Sequence, residues 1–285
     1  MTEDHSETPR LVIYYEDNSV PLINAVDLPY THVNLSFLVP VEGTDRVVAQ
    51  DNLTLEVLEH AKRVQESGKQ VFASFGGGLQ KSQHYHALSG NERQAAEQIV
   101  DYVIAHRLDG VDIDYEDFDA MRTGKPYDGV EFLSTLTALV HEMLPAECKV
   151  VTHSPEIPCV SEGDPVNYGR VLRNVGARIA WLNVQYYNAP EFIDPNSKVV
   201  QSYQRLVEGT NGFEPIPPQQ LVLGKPFGQP TQRGGFMPVD EIISDLVRPL
   251  QSTYGKEFGG VMGWQFSRDP NGDWARRLGK ALGIG

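Results

Sequence analysis

Cysteine is scarce: Cys148 and Cys159 are the only two in 285 residues. They bracket the run KVVTHSPEIP, which reads as extended. At about 3.3 Å per residue its ends lie far beyond the roughly 7 Å that a disulfide spans. Both are expected as free thiols, which suits a reducing compartment without requiring one. Positive charge is scarce too, with 24 Lys and Arg against 38 Asp and Glu and a formal net charge of -14. Such a chain repels nucleic-acid phosphates and anionic membrane surfaces, so neither is an expected partner, and a neutral or cationic one is. No apolar run approaches the ~20 residues that cross a bilayer, and the opening MTEDHSETPR lacks a basic n-region and an apolar h-region. The expected location is the cytoplasm, or that of the mature form of a secreted protein. Low-complexity tracts, short repeats and linker-like stretches are also missing. One domain over 1–285 is therefore expected, with 1–9 as a flexible N-terminus and a monomer as the default.

Against this background LDGVDIDYED, from Leu108 to Asp117, stands out with five carboxylates in ten residues. Val111, Ile113 and Tyr115 alternate with Asp112, Asp114 and Glu116, which is the period of a β-strand and places three acids on one face. A solvated acidic surface would not need that alternation. A calcium loop of the D-x-D-x-E type needs a glycine at its sixth position and short polar spacers, and this stretch has β-formers instead. Asp109 falls on the opposite parity and is expected to be structural, capping the strand start.

Eight β-rich runs recur along the chain, near Val12, Leu35, Phe72, Ile113, Val151, Val184, Val222 and Met262. Amphipathic segments separate most of them. In GNERQAAEQIVDYVIAHR, Ala96, Ile99, Val100, Val103 and Ile104 recur at three and four, as one buried helical face requires. VDEIISDLVRPLQSTY behaves similarly, with Pro249 expected to kink or end its helix. Strand and helix alternating eight times predict an α/β fold, a (β/α)8 TIM barrel. A doubly wound open sheet is the alternative, and it lacks a G-x-G-x-x-G loop here. In a barrel, catalytic groups gather at the C-terminal ends of the strands, which makes Glu116 the outermost acid, with Asp114 and Asp112 progressively deeper. A partly buried row of like charges raises some of its pKa values, so that one carboxyl stays protonated near neutral pH as a general acid.

Asp109, Asp112, Asp114 and Glu116 spell D-x-x-D-x-D-x-E, which resembles the signature of family 18 glycoside hydrolases, the chitinases and their relatives. SFGGG at Ser74–Gly78 is similar to the family's S-x-G-G after the third strand. VQYYN at Val184–Asn188 resembles the sixth-strand motif of the plant and fungal class III (hevamine-like) branch, and GGVMGW at Gly259–Trp264 resembles the eighth-strand ending. Tyr14 in IYYE and Phe37 in NLSF match aromatics of the first and second strands.

The resemblance implies retaining, substrate-assisted hydrolysis, in which the sugar's own acetamido oxygen attacks the anomeric carbon and no protein nucleophile is needed. Glu116 would act as general acid and then base. Asp114 would orient the acetamido N–H, Asp112 would share a proton with Asp114, and the Tyr187 hydroxyl would hold the acetamido oxygen. Gln185 lies two residues before Tyr187 on the same face. Trp264 would floor the sugar, and Tyr14, Phe37, Gly76, Gly77 and Asn188 would complete the substrate-binding set. The implied partner is an N-acetylglucosamine-containing polysaccharide or oligosaccharide, with soluble or amorphous material preferred because no binding module is attached. No cofactor and no metal are implied. His84 and His86 in QHYH make only a weak ligand pair, and Ser74 does not sit in a G-x-S-x-G elbow. His153 and Glu156 depart from the class III pattern, where smaller or uncharged residues are usual. The leading expectation is an endo-chitinase. The alternatives are an endo-β-N-acetylglucosaminidase cutting the N-glycan chitobiose core and an inactive chitinase-like lectin.

Overall fold

A computed structural model describes residues 9–228 and 234–284. The strands are β1 (Arg10–Tyr15), β2 (His32–Pro40), β3 (Val47–Ala49), β4 (Gln70–Gly76), β5 (Gly110–Asp114), β6 (Val151–His153), β7 (Leu182–Gln185), β8 (Leu221–Pro226) and β9 (Gly260–Trp264). The helices are α1 (Leu55–Glu66), α2 (Ser82–His86), α3 (Glu92–His106), α4 (Phe118–Thr123), α5 (Gly129–Met143), α6 (Tyr168–Val175), α7 (Pro190–Ile193), α8 (Ser197–Glu208), α9 (Val239–Glu241), α10 (Arg248–Tyr254) and α11 (Asp273–Leu282). The sheet order β1-β9-β8-β7-β6-β5-β4-β2, closed by β1 pairing with β2, makes the expected parallel eight-stranded barrel. β3 is an addition that the sequence did not announce; it pairs antiparallel with the outer half of β2. The expected flexible stretch 1–9 falls mostly on 1–8, outside the described residues.

Helices start where polar side chains satisfy free backbone N–H groups: Thr54 caps α1, Asp117 caps α4 and Asp128 caps α5. α3 buries Ala95, Ala96, Ile99, Val100 and Val103, while Ile104 is 50% exposed. Its expected place in the buried face is thus corrected, because the arc is rotated toward Ala95 and leaves Ile104 at its edge. Pro249 does not end its helix either. The segment Ile242–Val247 just before it widens into a π-helix, and α10 continues through the proline. A wider turn there accommodates the missing N–H and the ring that would crowd the preceding turn. KVVTHSPEIP is extended only over Val151–His153 and turns into a 3₁₀ segment at Ile157–Val160, with both cysteines free and buried.

The barrel interior divides by height. Its lower part is apolar, with Val12, Phe72, Val150, Trp181, Val222 and Met262 packed together and the Arg10 guanidinium 4.2 Å above the Trp181 ring. Outward residues of the same strands join the helices in the larger core. The β2–β4 register shifts between Ser36 and Leu38. This bulge puts Phe37 with the inner cluster, where unbroken alternation from Asn34 would have turned it outward. Non-proline cis peptide bonds join Ser36 to Phe37 and Trp264 to Gln265.

The β1–β9 seam closes over Gly260, whose φ of 120° is open to glycine alone and whose absent Cβ would be driven into the Arg10 backbone. Gly260→Ala is expected to cost ~3 kcal/mol or more, since it combines strain and overpacking. Gly43→Ala, at φ 71° with open space around it, should cost only about 1 kcal/mol. Denaturant unfolding of both variants checks this, and equal losses would show that the seam is not tightly packed.

Candidate active site

Asp112, Asp114 and Glu116 follow one another at alternate positions of β5 and the turn after it; Asp112 is fully buried inside the barrel, and Asp114 and Glu116 reach the cleft. Asp112 survives there because its neighbours at the same height on adjacent strands are polar: Ser74 is its register partner on β4 and Thr152 its partner on β6. Thr152 donates to Asp112 Oδ1 at 2.6 Å and Asn183 Nδ2 at 3.2 Å, while Ser74 donates to Oδ2 at 2.8 Å. Asn183 is oriented by Trp181 Nε1, which donates to its Oδ1 at 3.1 Å. Tyr14 and Ser154 both reach Oδ2, at 2.8 and 3.1 Å, and lie 2.7 Å from each other. Each hydroxyl has one hydrogen, so one of the two donates to the carboxyl and the other donates to its hydroxyl neighbour. Burial raises the Asp112 pKa, and the hydroxyl donors oppose that rise.

Asp114, 4% exposed, has different company. Its carboxyl hydrogen-bonds Glu116, and Gln185 Nε2 donates to Asp114 Oδ1 at 2.9 Å. The same amide nitrogen lies 3.1 Å from Glu116 Oε1 and 2.8 Å from the Ser154 carbonyl. Gln185 is thus engaged by the two carboxyls and the backbone. Burial lifts the Asp114 pKa well above the carboxylate range, and the charges of Glu116, Asp112 and Glu156 lift it further. The hydrogen bond of Asp114 runs to Glu116, while the oxygens of Asp112 accept from its hydroxyl and amide donors.

Above these acids opens a cleft of about 440 Å³, a volume suited to a small polar ligand. Trp264 lies against Phe37 with ring centroids 6.1 Å apart at 25°, and against Tyr14 at 5.7 Å. Gly76 and Gly77 carry φ of 113° and 92°, and side chains there would strike the Asp114 carbonyl and the Phe37 ring. Tyr187 is buried, its phenol pKa raised by burial and the surrounding acids, and among the described residues its hydroxyl has no hydrogen-bond partner. It is a protonated donor at the cleft wall. Asn188 follows at φ 62° and also lines the cleft. Asp109 is spent on structure, accepting from Val71 N at 2.7 Å and Gln65 at 2.8 Å.

The structure therefore gathers Glu116, Asp114, Tyr187, Gln185, Trp264, Phe37, Gly76, Gly77 and Asn188 around one cleft, with Asp112 and Tyr14 beneath it. It adds residues that the motifs did not single out. Thr152, Ser154 and Asn183 form the shell of Asp112; alternation backward from Gln185 in VQYYN leads to Asn183. A Cβ on Gly78 would come within 2.7 Å of Glu116 Oε2. Glu16, Gln265 and Arg268 line the wall formed by the ends of β1 and β9, and Glu156, the acid that departs from the class III pattern, lines the wall beside Gln185. His84 and His86 serve α2 and its packing: His84 Nδ1 accepts from Lys81 N, and His86 stacks on Tyr127. His153 lies outside the cleft, between Thr137 and Tyr168 at 2.9 Å each, and burial lowers its pKa to about 3. Among the described residues no group of three or more His, Cys, Asp or Glu is placed to hold a metal ion.

A parallel barrel with two neighbouring carboxyls at its C-terminal mouth is the architecture of a hydrolase that works by acid–base chemistry. The profile of "Glycosyl hydrolases family 18" matches residues 10–239. A family 18 chitinase from Pseudoalteromonas aurantia superposes with a TM-score of 0.86 at 36% identity, covering 96% of this chain and 100% of that one. A chitinase of Enterococcus faecalis is 23% identical over 91% of this chain and 78% of its own length. A chitinase from Bacteroides thetaiotaomicron shares the fold at 14% identity and TM-score 0.70, covering 96% of each chain. The chain belongs to glycosyl hydrolase family 18 and is a glycosidase.

Because folding lifts the Asp114 pKa, the folded state retains a proton that the unfolded chain releases above about pH 4. The associated stability is complete below the unfolded pKa and is lost as pH rises through the folded one. Asp114→Asn cannot ionise, so its stability relative to wild type should improve by more than about 1 kcal/mol between roughly pH 4 and pH 8. Urea unfolding at both pH values measures the difference; a constant offset would mean that no such proton is held.

Proposed function

We propose that this glycosidase cleaves β-1,4 links between N-acetylglucosamine units of chitin or chito-oligosaccharides, within the chain and with retention of configuration. The observation that carries the reading is the Asp114–Glu116 hydrogen bond beside the Tyr187 hydroxyl, which has no partner among the described residues, with Trp264 lining the same cleft. The kinship to proteins described as chitinases points the same way.

With a sugar seated on Trp264, its apolar C–H face meets the indole ring. Glu116 gives its proton to the glycosidic oxygen as the C1–O bond breaks, and the acetamido oxygen of the same sugar closes on C1. Asp114 accepts the acetamido N–H and faces the positive charge that develops on the ring so formed. Tyr187 donates to the acetamido oxygen and holds it beneath C1. The carboxylate left on Glu116 then takes a proton from water, whose oxygen attacks C1 and reopens the ring with retained configuration. Gln185 keeps the two carboxyls in register through these steps. Asp112 stays below as a hydrogen-bonded acid whose charge favours a proton on Asp114.

Glu116→Gln keeps the side chain's shape and removes the transferable proton. Turnover of chitopentaose should fall by roughly 10³-fold or more while oligosaccharide binding persists. Mass spectrometry of products from wild type and variant, each mixed with chitopentaose and a high-mannose glycoprotein, checks it. Shortened oligosaccharides from the wild type alone support the reading. Undiminished turnover in the variant would sink the mechanism, and released N-glycan instead of shortened chitopentaose would overturn the substrate assignment.

A further inference from the structure

Glu116 sits two residues beyond Asp114, where strand pairing ends with Gly76 opposite Asp114. The ladder therefore does not hold the acid that must move a proton. What flanks it does. Tyr115 and Asp117 take the opposite parity, and both are buried among the helices around β5. Tyr127, in the connection between α4 and α5, reaches both of them with one oxygen. Its hydroxyl donates to Asp117 Oδ2 at 2.7 Å and lies 2.6 Å from the Tyr115 hydroxyl. With its single hydrogen given to Asp117, Tyr127 accepts from Tyr115, so the direction of the chain is fixed. The other Asp117 oxygen accepts from Ser82 at 2.9 Å and from the Ala120 N–H at 3.1 Å, tying the same turn to α2 and α4. The Tyr127 ring is itself held, stacked on His86 at 12° and edge-on to Phe132.

We propose that Tyr127 is a positioning residue for Glu116, clamping the residues on either side of it so that the acid stays in register with Asp114 and the scissile oxygen. The proposal rests on the role of Glu116 given above. Tyr127 does not line the cleft, so it can act only through Tyr115 and Asp117. A rotation of that three-residue unit moves Glu116 against Asp114 and Gln185, and displacements of about 1 Å at a reacting group cost up to ~10²-fold in rate.

Tyr127→Phe keeps the stacked ring and removes both hydrogen bonds. Its kcat on chito-oligosaccharides should fall about tenfold or more with KM within about twofold, since sugar contacts are untouched. Tyr102→Phe, which removes a buried hydroxyl on α3 that has no hydrogen-bond partner among the described residues, should leave kcat unchanged. A carbon-13 titration of the Glu116 carboxyl, assigned by its loss in Glu116→Gln, should shift in Tyr127→Phe and not in Tyr102→Phe. That titration needs no substrate, so it decides the clamp even if the wild type leaves every acetamido sugar intact, which would refute the functional reading separately. An unshifted titration, or kcat within about twofold of wild type, overturns the clamp. Should Tyr127→Phe fail to fold, Tyr115→Phe breaks one link only and is read identically, with a smaller loss of kcat expected and an unchanged titration counting against the clamp.

Discussion

A carboxyl group placed at the centre of a barrel must find hydrogen-bond donors there, because water cannot reach it and an unpaired buried charge costs several kcal/mol. Asp112 imposes that condition on the whole structure. Its donors come from β1, β4, β6 and β7 and from the residue just past β6. Strands spread around much of the circumference are thereby tied to one side chain. A one-residue slip of any of them would turn its donor outward and leave the acid unpaired. Register, the inner polar layer and the height at which the cleft begins all follow from this requirement.

The layer above uses the opposite strategy. Asp114 is nearly as buried as Asp112 but has only an amide donor and a second carboxyl beside it, so keeping a proton is the cheaper way to stay underground. Two acids two residues apart thus receive different protonation tasks from their surroundings alone. Glu156 adds its negative charge from the wall beside Gln185, reinforcing the proton on Asp114. The opposite wall follows the same pattern: burial, then the charge of the neighbouring Asp17, raises the Glu16 pKa, while Arg268 and Gln265 pull it back. An acidic cleft that holds protons suits chemistry in which a leaving oxygen must be protonated.

Both parities of the acidic strand matter to this arrangement. The inward set lies at and beneath the cleft, and the outward set, Tyr115 with Asp117 after it, ties the turn to α2, α4 and the α4–α5 connection. Burial removes competition from water for those hydrogen bonds, which is why they can hold the turn past the end of the ladder. Packing against the helices and the geometry of the cleft acids are therefore supplied by the same short stretch of chain.

The alternation of LDGVDIDYED, the eight β-rich runs and the helical spacing between them were enough to establish strand, barrel and the order of the acids by depth, because periodicity is a local property that the chain expresses wherever it folds. Resemblance of the motifs then pointed to most of the residues around the cleft. Other features were decided only when strands met. Phe37 faces inward because of a register shift against β4. Asp114 bonds Glu116 because the lone pairs of Asp112 are filled by residues from 38 to 98 positions away and from β6 and β7. Glu16 and Arg268 carry no periodic signal, and loops at the mouth bring them to the cleft, while Tyr127 reaches Tyr115 and Asp117 from the connection between α4 and α5. Hydrogen bonding and desolvation depend on which atoms lie within a few ångströms, and those neighbours are set by tertiary packing.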